Sequence, residues 1–306
     1  METINKNPEA PAIEFRNVCL RFDDKPVLQN VSFTLYKGQM IVITGDSASG
    51  KSVLLHLAIG LLQPTSGHIL INGLAIDDLR ERELLQLRSN SMGIAFQEDT
   101  LFTGLSVFEN AAYRLSEHQW DEEEMDRATM EILHFVGLEH DGEKLPEELS
   151  MGMRRRLEIA RALVGWPAIM LFDEPTSGLD PINARLVLDL IIRARDIHHI
   201  SSLHVTKEMH QIPYLANHYA LQDSPETVAI QKGVLPGAPQ LKVMLIEQGK
   251  VAFFGSDAEF ETSTLPAVSQ FKNPQGSSLV TAGFDQDPWK YVLKERNLLK
   301  ERPFHL

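Results

Sequence analysis

The sequence has little cysteine, fewer bases than acids, and no long uninterrupted apolar run. Cys19 is the one cysteine among 306 residues. An internal disulfide is therefore excluded, which points to a reducing compartment and to Cys19 as a small apolar strand residue rather than a reactive thiol. Lys and Arg number 29 against 42 Asp and Glu, a formal net charge of −13. A nucleic-acid surface needs clustered basic residues to neutralise phosphates, so this balance argues against one. Any anion must be held by local geometry. The longest apolar stretch, Val53 to Leu62, is interrupted by His56 and Gly60 and has about half the length that crosses a bilayer. The chain is not expected to span a membrane by itself. Its opening residues, METINKNPEAPAIEF, lack an apolar h-region, so neither a signal peptide nor export is expected. There is no sustained heptad pattern and no internal repeat. What is present, 43% hydrophobic and 23% charged residues, describes a globular, core-forming chain of one large or two ordinary domains.

Ile13 to Leu20 and Val27 to Leu35, separated by Asp23-Asp24-Lys25-Pro26, read as strands of an antiparallel edge. Gln39 to Thr44, Met92 to Phe96 and Ile169 to Phe172 are short, nearly all-apolar segments, as in strands covered on both faces of a parallel sheet. Between them, Ser52 to Leu62 carries helical spacing, Asp77 to Arg88 is charged and helical, and Val107 to Val136 is mostly helix. The acidic run Asp121 to Glu124 reads as a solvated helix start rather than a metal site. Strands alternating with helices give an α/β fold with a mostly parallel sheet. Gln222 to Val243, with Pro225, Gly233, Pro236, Gly237 and Pro239, reads as a surface insertion before the strand Met244 to Ile246. Beyond Gly255 the chain is polar and aromatic, with Phe271, Phe284, Trp289 and Tyr291, and reads as a loosely structured extension.

Gly45-Asp46-Ser47-Ala48-Ser49-Gly50-Lys51-Ser52 fits GxxxxGK[ST] and lies between a buried strand and a helix. In this arrangement successive backbone N–H groups and a helix N-terminus point at one place and cradle phosphate oxygens. An acidic protein can thus hold an anion. Lys51 is predicted to reach the β- and γ-phosphates and the Ser52 hydroxyl to ligate Mg²⁺. Asp173, after the apolar run, could bind the metal directly or through water, and Glu174 could orient and polarise an attacking water. Two adjacent carboxylates alone would suit a helix N-cap equally well; the phosphate loop gives them weight.

Leu149-Ser150-Met151-Gly152-Met153 resembles the LSGGQ signature of ABC transporter ATPases, Gln97 sits where their Q-loop glutamine falls, and Ser177-Gly178-Leu179-Asp180 looks like their D-loop. The resemblance covers about residues 13 to 255. It implies a P-loop, RecA-like core with an antiparallel β subdomain and a helical signature subdomain at about 98–165, preceded by a flexible N-terminus at 1–12 and followed by a C-terminal extension at 256–306. Its implied cofactors are ATP and Mg²⁺, contacted by residues 45–52, by Val53 and, through adenine stacking, by Phe22; Gln97 would join Ser52 and Asp173 at the metal. The implied partner is a second copy, head to tail, each ATP lying between one copy's P-loop and the other's Ser150, Gly152 and Asp180. A separate integral membrane permease completes the assembly, which places the chain peripherally on the cytoplasmic face of the cell membrane. SMGMRRRLEIARAL, LFDEPTSGLDPI and Leu265 to Phe271 look most like the ATPases of bacterial Mce-type transporters. That likeness implies a phospholipid or other hydrophobic cargo and an Mce-domain substrate-binding protein. A soluble ABC protein of translation or DNA repair would carry two cassettes or a long coiled-coil insertion, and this chain has neither.

Ser150 is predicted to cap a helix with Arg154, Arg155, Glu158 and Arg161 outward and Leu157, Ala160, Leu163 and Val164 inward. The Arg154-Arg155-Arg156 run then reads as a solvated face, with Arg154 paired to Glu158 at i,i+4. Five positions depart from the family pattern. Lys207 stands where the family has a histidine touching the γ-phosphate. His204 would point to the opposite face, whereas His210 would share Lys207's face if a helix starts there. A lysine supplies charge but no acceptor. Ala48 replaces a usual glycine, which matters if the position needs positive φ. Asp46 adds negative charge beside the phosphate nest, Val53 lacks a hydroxyl, and Met151 replaces a signature glycine. These features leave two readings open: an ATPase, slowed or regulated, and a nucleotide-gated clamp with little turnover.

Overall fold

The computed structural model describes residues 11–116, 120–224 and 227–272. Strands β1 (Pro11–Phe22) and β2 (Lys25–Tyr36) pair antiparallel, and Phe15 stacks on Phe33 at 4.6 Å between ring centres. Strand β3 (Met40–Thr44) is buried at every position. The phosphate loop leads from it into α1 (Lys51–Ala58), which ends short of the expected Leu62. Gly60 turns the chain at φ 70°, and the Arg88 guanidinium takes the freed carbonyls of Ile59 and Gly60. Strands β4 (Ser66–Ile71) and β5 (Leu74–Ala75) complete a four-stranded sheet in the order β2-β1-β4-β5. Helix α2 (Glu81–Ser91) starts later than the expected Asp77, because that carboxylate accepts from the Ile69 N–H and pairs with His68.

After β6 (Met92–Ala95) the expected long helix is two helices, α3 (Val107–Ser116) and α4 (Glu122–Val136). Asp121 caps α4 by accepting from the Glu124 N–H, and its acidic first turn complements the positive end of the helix. Next come α5 (Met151–Leu163), β7 (Ile169–Asp173), α6 (Pro181–Ile197), β8 (Ser201–Val205) and α7 (Gln211–Ala216). The main sheet has the order β12-β11-β3-β8-β7-β6, and its last two strands in the chain, β11 (Lys242–Glu247) and β12 (Lys250–Ser256), form its antiparallel edge. The pairs β11-β3, β3-β8, β8-β7 and β7-β6 are parallel. Alternate residues feed two cores. Ile41 and Ile43 pack with the four-stranded sheet and α1, while Met40 and Val42 pack with the helical side of the molecule, where Leu157, Phe172 and Leu190 lie. The α/β fold expected from the sequence is the one observed.

Two stretches hold more structure than the sequence suggested. Residues expected as a surface insertion begin in an antiparallel hairpin of β9 (His218–Ser224) and β10 (Thr227–Lys232), in which Ala220 is buried. The chain after Gly255, expected to be loose, forms α8 (Asp257–Thr262) and α9 (Pro266–Lys272). Ser256 and Glu259 make a reciprocal capping box at the start of α8, and Phe260 and Val268 are fully buried. Phe284, Trp289 and Tyr291 lie outside the described residues.

Helix α5 also differs from expectation. Arg156 and Glu158 are buried, at 7% and 4% exposure. Arg156 caps α4 through the carbonyls of Val136 and Gly137, and Glu158 pairs with Arg155 at i−3 rather than with Arg154, which faces Asp99. The arginine run is therefore not a solvated face.

Candidate functional site

Parallel strands deliver their C-terminal ends to one edge, where α/β sheets place ligands. In β3 that end is Thr44, followed by Gly45, the first residue of the phosphate loop; in β7 it is Asp173; in β8 it is Val205, followed by Thr206 and Lys207. The register of β6 with β7 ends at Ala95 and Phe172, so Gln97, two residues past Ala95, follows the same end of the sheet. The loop is wedged between its neighbours. A Cβ on Gly45 would clash with the Ile246 carbonyl, and one on Gly50 would meet Leu28. Both glycines also have positive φ, 144° and 102°, so glycine is required here for close approach as well as conformation.

Within the loop, Lys51 Nζ donates to the carbonyls of Gly45 (2.8 Å) and Asp46 (2.6 Å) and to Ser49 Oγ (3.4 Å). Burial lowers the Lys51 pKa, an effect opposed by the carboxylates of Glu174, Asp173 and Asp46. Asp46, Ser47 and Ala48 are exposed while Ser49 and Gly50 are buried. Ala48 sits at φ 62°, so the glycine replaced here did face a left-handed requirement.

The Ser52 hydroxyl donates to Asp173 Oδ1 at 3.2 Å. A hydroxyl and a carboxylate at this separation form the hard oxygen set that suits Mg²⁺, and Lys51 brings the positive charge a polyphosphate needs. The residues present therefore fit MgATP. Asp173 is mostly buried, and that burial raises its pKa against the Ser52 hydrogen bond.

Glu174 leaves β7 at φ 44°, with its N–H on the Val205 carbonyl (3.0 Å). Lys207 Nζ lies 2.9 Å from Glu174 Oε2, and that bond raises the Lys207 pKa. This ion pair is one feature sequence reasoning missed: a lysine at 207 could place charge near the γ-phosphate or point to solvent, and neither reading tied it to the Glu174 carboxylate. His204 is fully buried on the other face of β8, as expected, and its pKa is pulled down to about 4 by that burial. His210 lies 3.4 Å from Glu208.

Gln211 was also missed. It donates to Thr176 Oγ1 (2.6 Å) and Glu208 Oε2 (3.2 Å) while its carbonyl faces His204 Nε2 (3.2 Å). This buried network ties the segment after Glu174 to the one after Lys207. The polar residues of 204–211 were its only sequence signal.

A second cluster joins the signature to the D-loop. Ser150 caps α5, accepting from the Met153 N–H at 3.2 Å. Gly152 lies so close to α6 that a Cβ would clash with Asn183 Oδ1. Asn183 in turn donates to Asp180 (2.6 Å), the N-cap of α6, and lowers that carboxyl's pKa. Exposed Met151 adjoins Gly178. Phe22 ends β1 with its ring about half exposed, and Val53 is partly buried on α1. Helix α9 reaches the phosphate loop, since Ala267, Gln270 and Phe271 line a small cavity of about 80 Å³ with Asp46 and Ile246. A larger cavity, about 270 Å³, lies at the opposite sheet edge between Gly38, His199 and Leu235, away from this chemistry.

Known proteins are similar to this chain in sequence and fold. The family described as ABC transporter matches residues 28–177. A protein of Arabidopsis thaliana, TRIGALACTOSYLDIACYLGLYCEROL 3, chloroplastic, is 34% identical over 277 residues, 87% of this chain and 74% of its own. The probable ribonucleotide transport ATP-binding protein mkl of Mycobacterium leprae is 40% identical over 186 residues, 60% of this chain and 53% of its own. The chain thus spans about half the length of that relative. Among solved structures, the dimeric structure of MJ0796, a bacterial ABC transporter cassette, superimposes with TM-score 0.66 at 25% identity, covering 80% of this chain and 98% of the other. CbiO1 of Clostridium perfringens shares the fold with TM-score 0.70 at 24% identity, covering 87% and 96%. With a relative of this identity matched over most of both chains, and with cassette structures covered almost end to end, the chain belongs to the ABC transporter family as an ATP-binding cassette.

Proposed function

We propose that the chain hydrolyses ATP to drive a separate integral membrane permease. It pairs head to tail with a second copy over two MgATP, on the cytoplasmic face of the membrane, and its cargo is a phospholipid or another hydrophobic molecule. The observation that carries this reading is the convergence of Lys51, the Ser52–Asp173 pair and the Glu174–Lys207 pair at one sheet edge. Among the described residues no helix is long and apolar enough to cross a membrane, which suits a chain whose transport path is a separate permease. A lipid cargo is supported by the Mce-type likeness of the signature region and by the Arabidopsis relative, whose name is that of a galactolipid. The mkl name refers instead to ribonucleotides. An Mce-domain substrate-binding protein would complete the complex.

In this reading Lys51 and the amides of residues 45–52 hold the phosphates, and Ser52, Asp173 and Gln97 hold Mg²⁺. The metal, when bound with ATP, would draw charge from the phosphates. Glu174 orients the attacking water and accepts its proton, with its carboxylate aimed by a backbone fixed between β7 and β8. Lys207 must loosen its hold on Oε2 for Glu174 to accept that proton, and the γ-phosphate offers the ammonium an alternative partner. Phe22 stacks on adenine, while Ser150, Gly152 and Asp180 face the partner's nucleotide.

A second reading, a nucleotide-gated clamp with little turnover, is favoured by the same Lys207–Glu174 bond if it persists with ATP bound. Glu174→Gln separates the two. Phosphate release is expected to fall on the order of 100-fold or more with ATP binding retained. Unchanged release from an active wild type would overturn the hydrolytic reading.

A further inference from the structure

Helix α5 grips the segment that follows β6. Arg155 donates from Nη1 to the Phe96 carbonyl (2.8 Å) and from Nη2 to the Gln97 carbonyl (2.9 Å). The same Nη1 meets Glu158 Oε2 at 2.6 Å, and Glu158 Oε1 accepts from the Thr100 N–H at 3.1 Å. Arg161 donates to the Thr100 carbonyl (2.8 Å) and to Thr100 Oγ1. Arg154 approaches Asp99 at 3.7 Å. Positions 154, 155, 158 and 161 share one helix face, and that face holds Phe96, Gln97, Asp99 and Thr100. A buried guanidinium–carboxylate pair is costly to desolvate, and apolar side chains of like size would serve packing as well or better. What the polar set provides is a single position for the backbone of residues 96–100.

We infer that Arg155, Glu158 and Arg161 are positioning residues that fasten the Gln97 segment to the signature helix and so couple the two nucleotide sites of the dimer. The inference rests on the head-to-tail reading proposed above. In such a pair Gln97 serves the chain's own nucleotide, whereas Ser150 and Gly152, at the start of the same helix, serve the partner's. Ser150 and Arg155 are only about 8 Å apart along α5 at 1.5 Å per residue. A shift of α5 towards the partner's phosphate therefore carries Gln97 with it. Because Arg155 holds carbonyls rather than side chains, the backbone itself must follow.

The test uses the full chain in its transporter complex, with phosphate release measured against ATP and against Mg²⁺. ATP-induced dimerisation, followed by light scattering on a Glu174→Gln background, is the second readout. Wild type is expected to respond to ATP with a Hill coefficient approaching about two. Arg155→Met should bring that coefficient towards one and raise the Mg²⁺ concentration for half-maximal turnover about tenfold, while ATP binding without Mg²⁺ changes less than about twofold. Arg155→Lys, which keeps charge and one donor group, should recover part of both, and serves in place of the methionine variant should that one not fold. Arg156→Met is the control, since the Arg156 guanidinium donates to the Val136 and Gly137 carbonyls at the end of α4 rather than to residues 96–100. It should lower thermal stability and leave the Hill coefficient unchanged. A folded Arg155 variant with wild-type cooperativity and Mg²⁺ dependence overturns the inference, as does an equal loss in Arg156→Met. A wild type that dimerises cooperatively on ATP yet releases no phosphate would sink the hydrolytic reading alone, with the coupling then decided by the dimerisation readout.

Discussion

Two residues of the site hold backbone conformations that an L side chain resists: Ala48 at φ 62° and Glu174 at φ 44°. At such angles the Cβ crowds the following carbonyl, at about 1–2 kcal/mol per residue. For Glu174 the strain fixes the carboxylate that would accept a proton. Ala48 is exposed, and its methyl has no comparable task. Ala48→Gly is therefore expected to stabilise the protein by about 0.5–1 kcal/mol, after allowing for glycine's larger freedom when unfolded. Urea unfolding measures this, and a loss of stability would show that the left-handed turn is not strained. Lys207 makes a different case. Its departure from the family's histidine is plain in the sequence, but its 2.9 Å bond to Glu174 depends on how the turn after β7 aims that carboxylate, which residue types do not reveal. With its pKa raised by Glu174 from an ordinary 10.5, Lys207 stays charged throughout pH 6 to 9. Turnover should carry no Lys207 titration in that range. Lys207→His should introduce one near pH 6.5, the ordinary imidazole value, seen as a new inflection in kcat against pH. Superimposable profiles would place the side chain outside the reaction.

At the scale of elements, helix α5 shows how burial of a charge alters stability. Burial pushes the Glu158 carboxyl up from 4.5 to about 7, against the pull of Arg155 and the Thr100 N–H. Between those values the folded protein binds more protons than the unfolded chain, so stability falls as pH rises through the window and levels off above it. The full effect is up to about 3 kcal/mol, at 1.36 kcal/mol per pKa unit. Glu158→Gln keeps an acceptor for Thr100 and removes the titration. The difference in melting temperature between wild type and variant should move in the variant's favour from pH 5 to pH 7.5, and a constant difference would mean that Glu158 is ionised throughout. This behaviour was not legible in the sequence, where Glu158 looked solvated. Helical spacing offers Arg154 at i−4 and Arg155 at i−3 alike, and the choice is made by residues 96–100 docking on α5. The strands β3, β6 and β7 were legible because short runs of apolar residues suit a strand covered on both faces, whereas β8, Ser201-Ser202-Leu203-His204-Val205, has no such run. Helix α8 was not: it is a single short amphipathic turn or two whose one deep anchor, Phe260, looks like any aromatic in a polar stretch until β12 and α9 close over it. The phosphate loop and the carboxylates after β7 could be read because their chemistry fixes spacing locally, whereas the Gln211 network joins residues 35 apart.

At the scale of the whole molecule, the chain carries a net charge of −13 and is proposed to close on a second copy around two anionic nucleotides. Two forces of different range then oppose each other. The attraction between phosphate, Lys51 and the amide end of α5 acts over a few ångströms inside the closed interface, where ions are excluded and screening is weak. The repulsion between two acidic bodies acts across solvent and fades within a Debye length, about 30 Å at 0.01 M salt and 10 Å at 0.1 M. Added salt therefore weakens the repulsion more than the attraction. With Glu174→Gln holding the closed state, ATP-induced dimerisation followed by light scattering should become faster and more complete as NaCl rises from about 20 to 200 mM. Dimerisation weakened by salt would show that exposed cation–phosphate contacts, rather than the overall charge, govern the approach of the two copies.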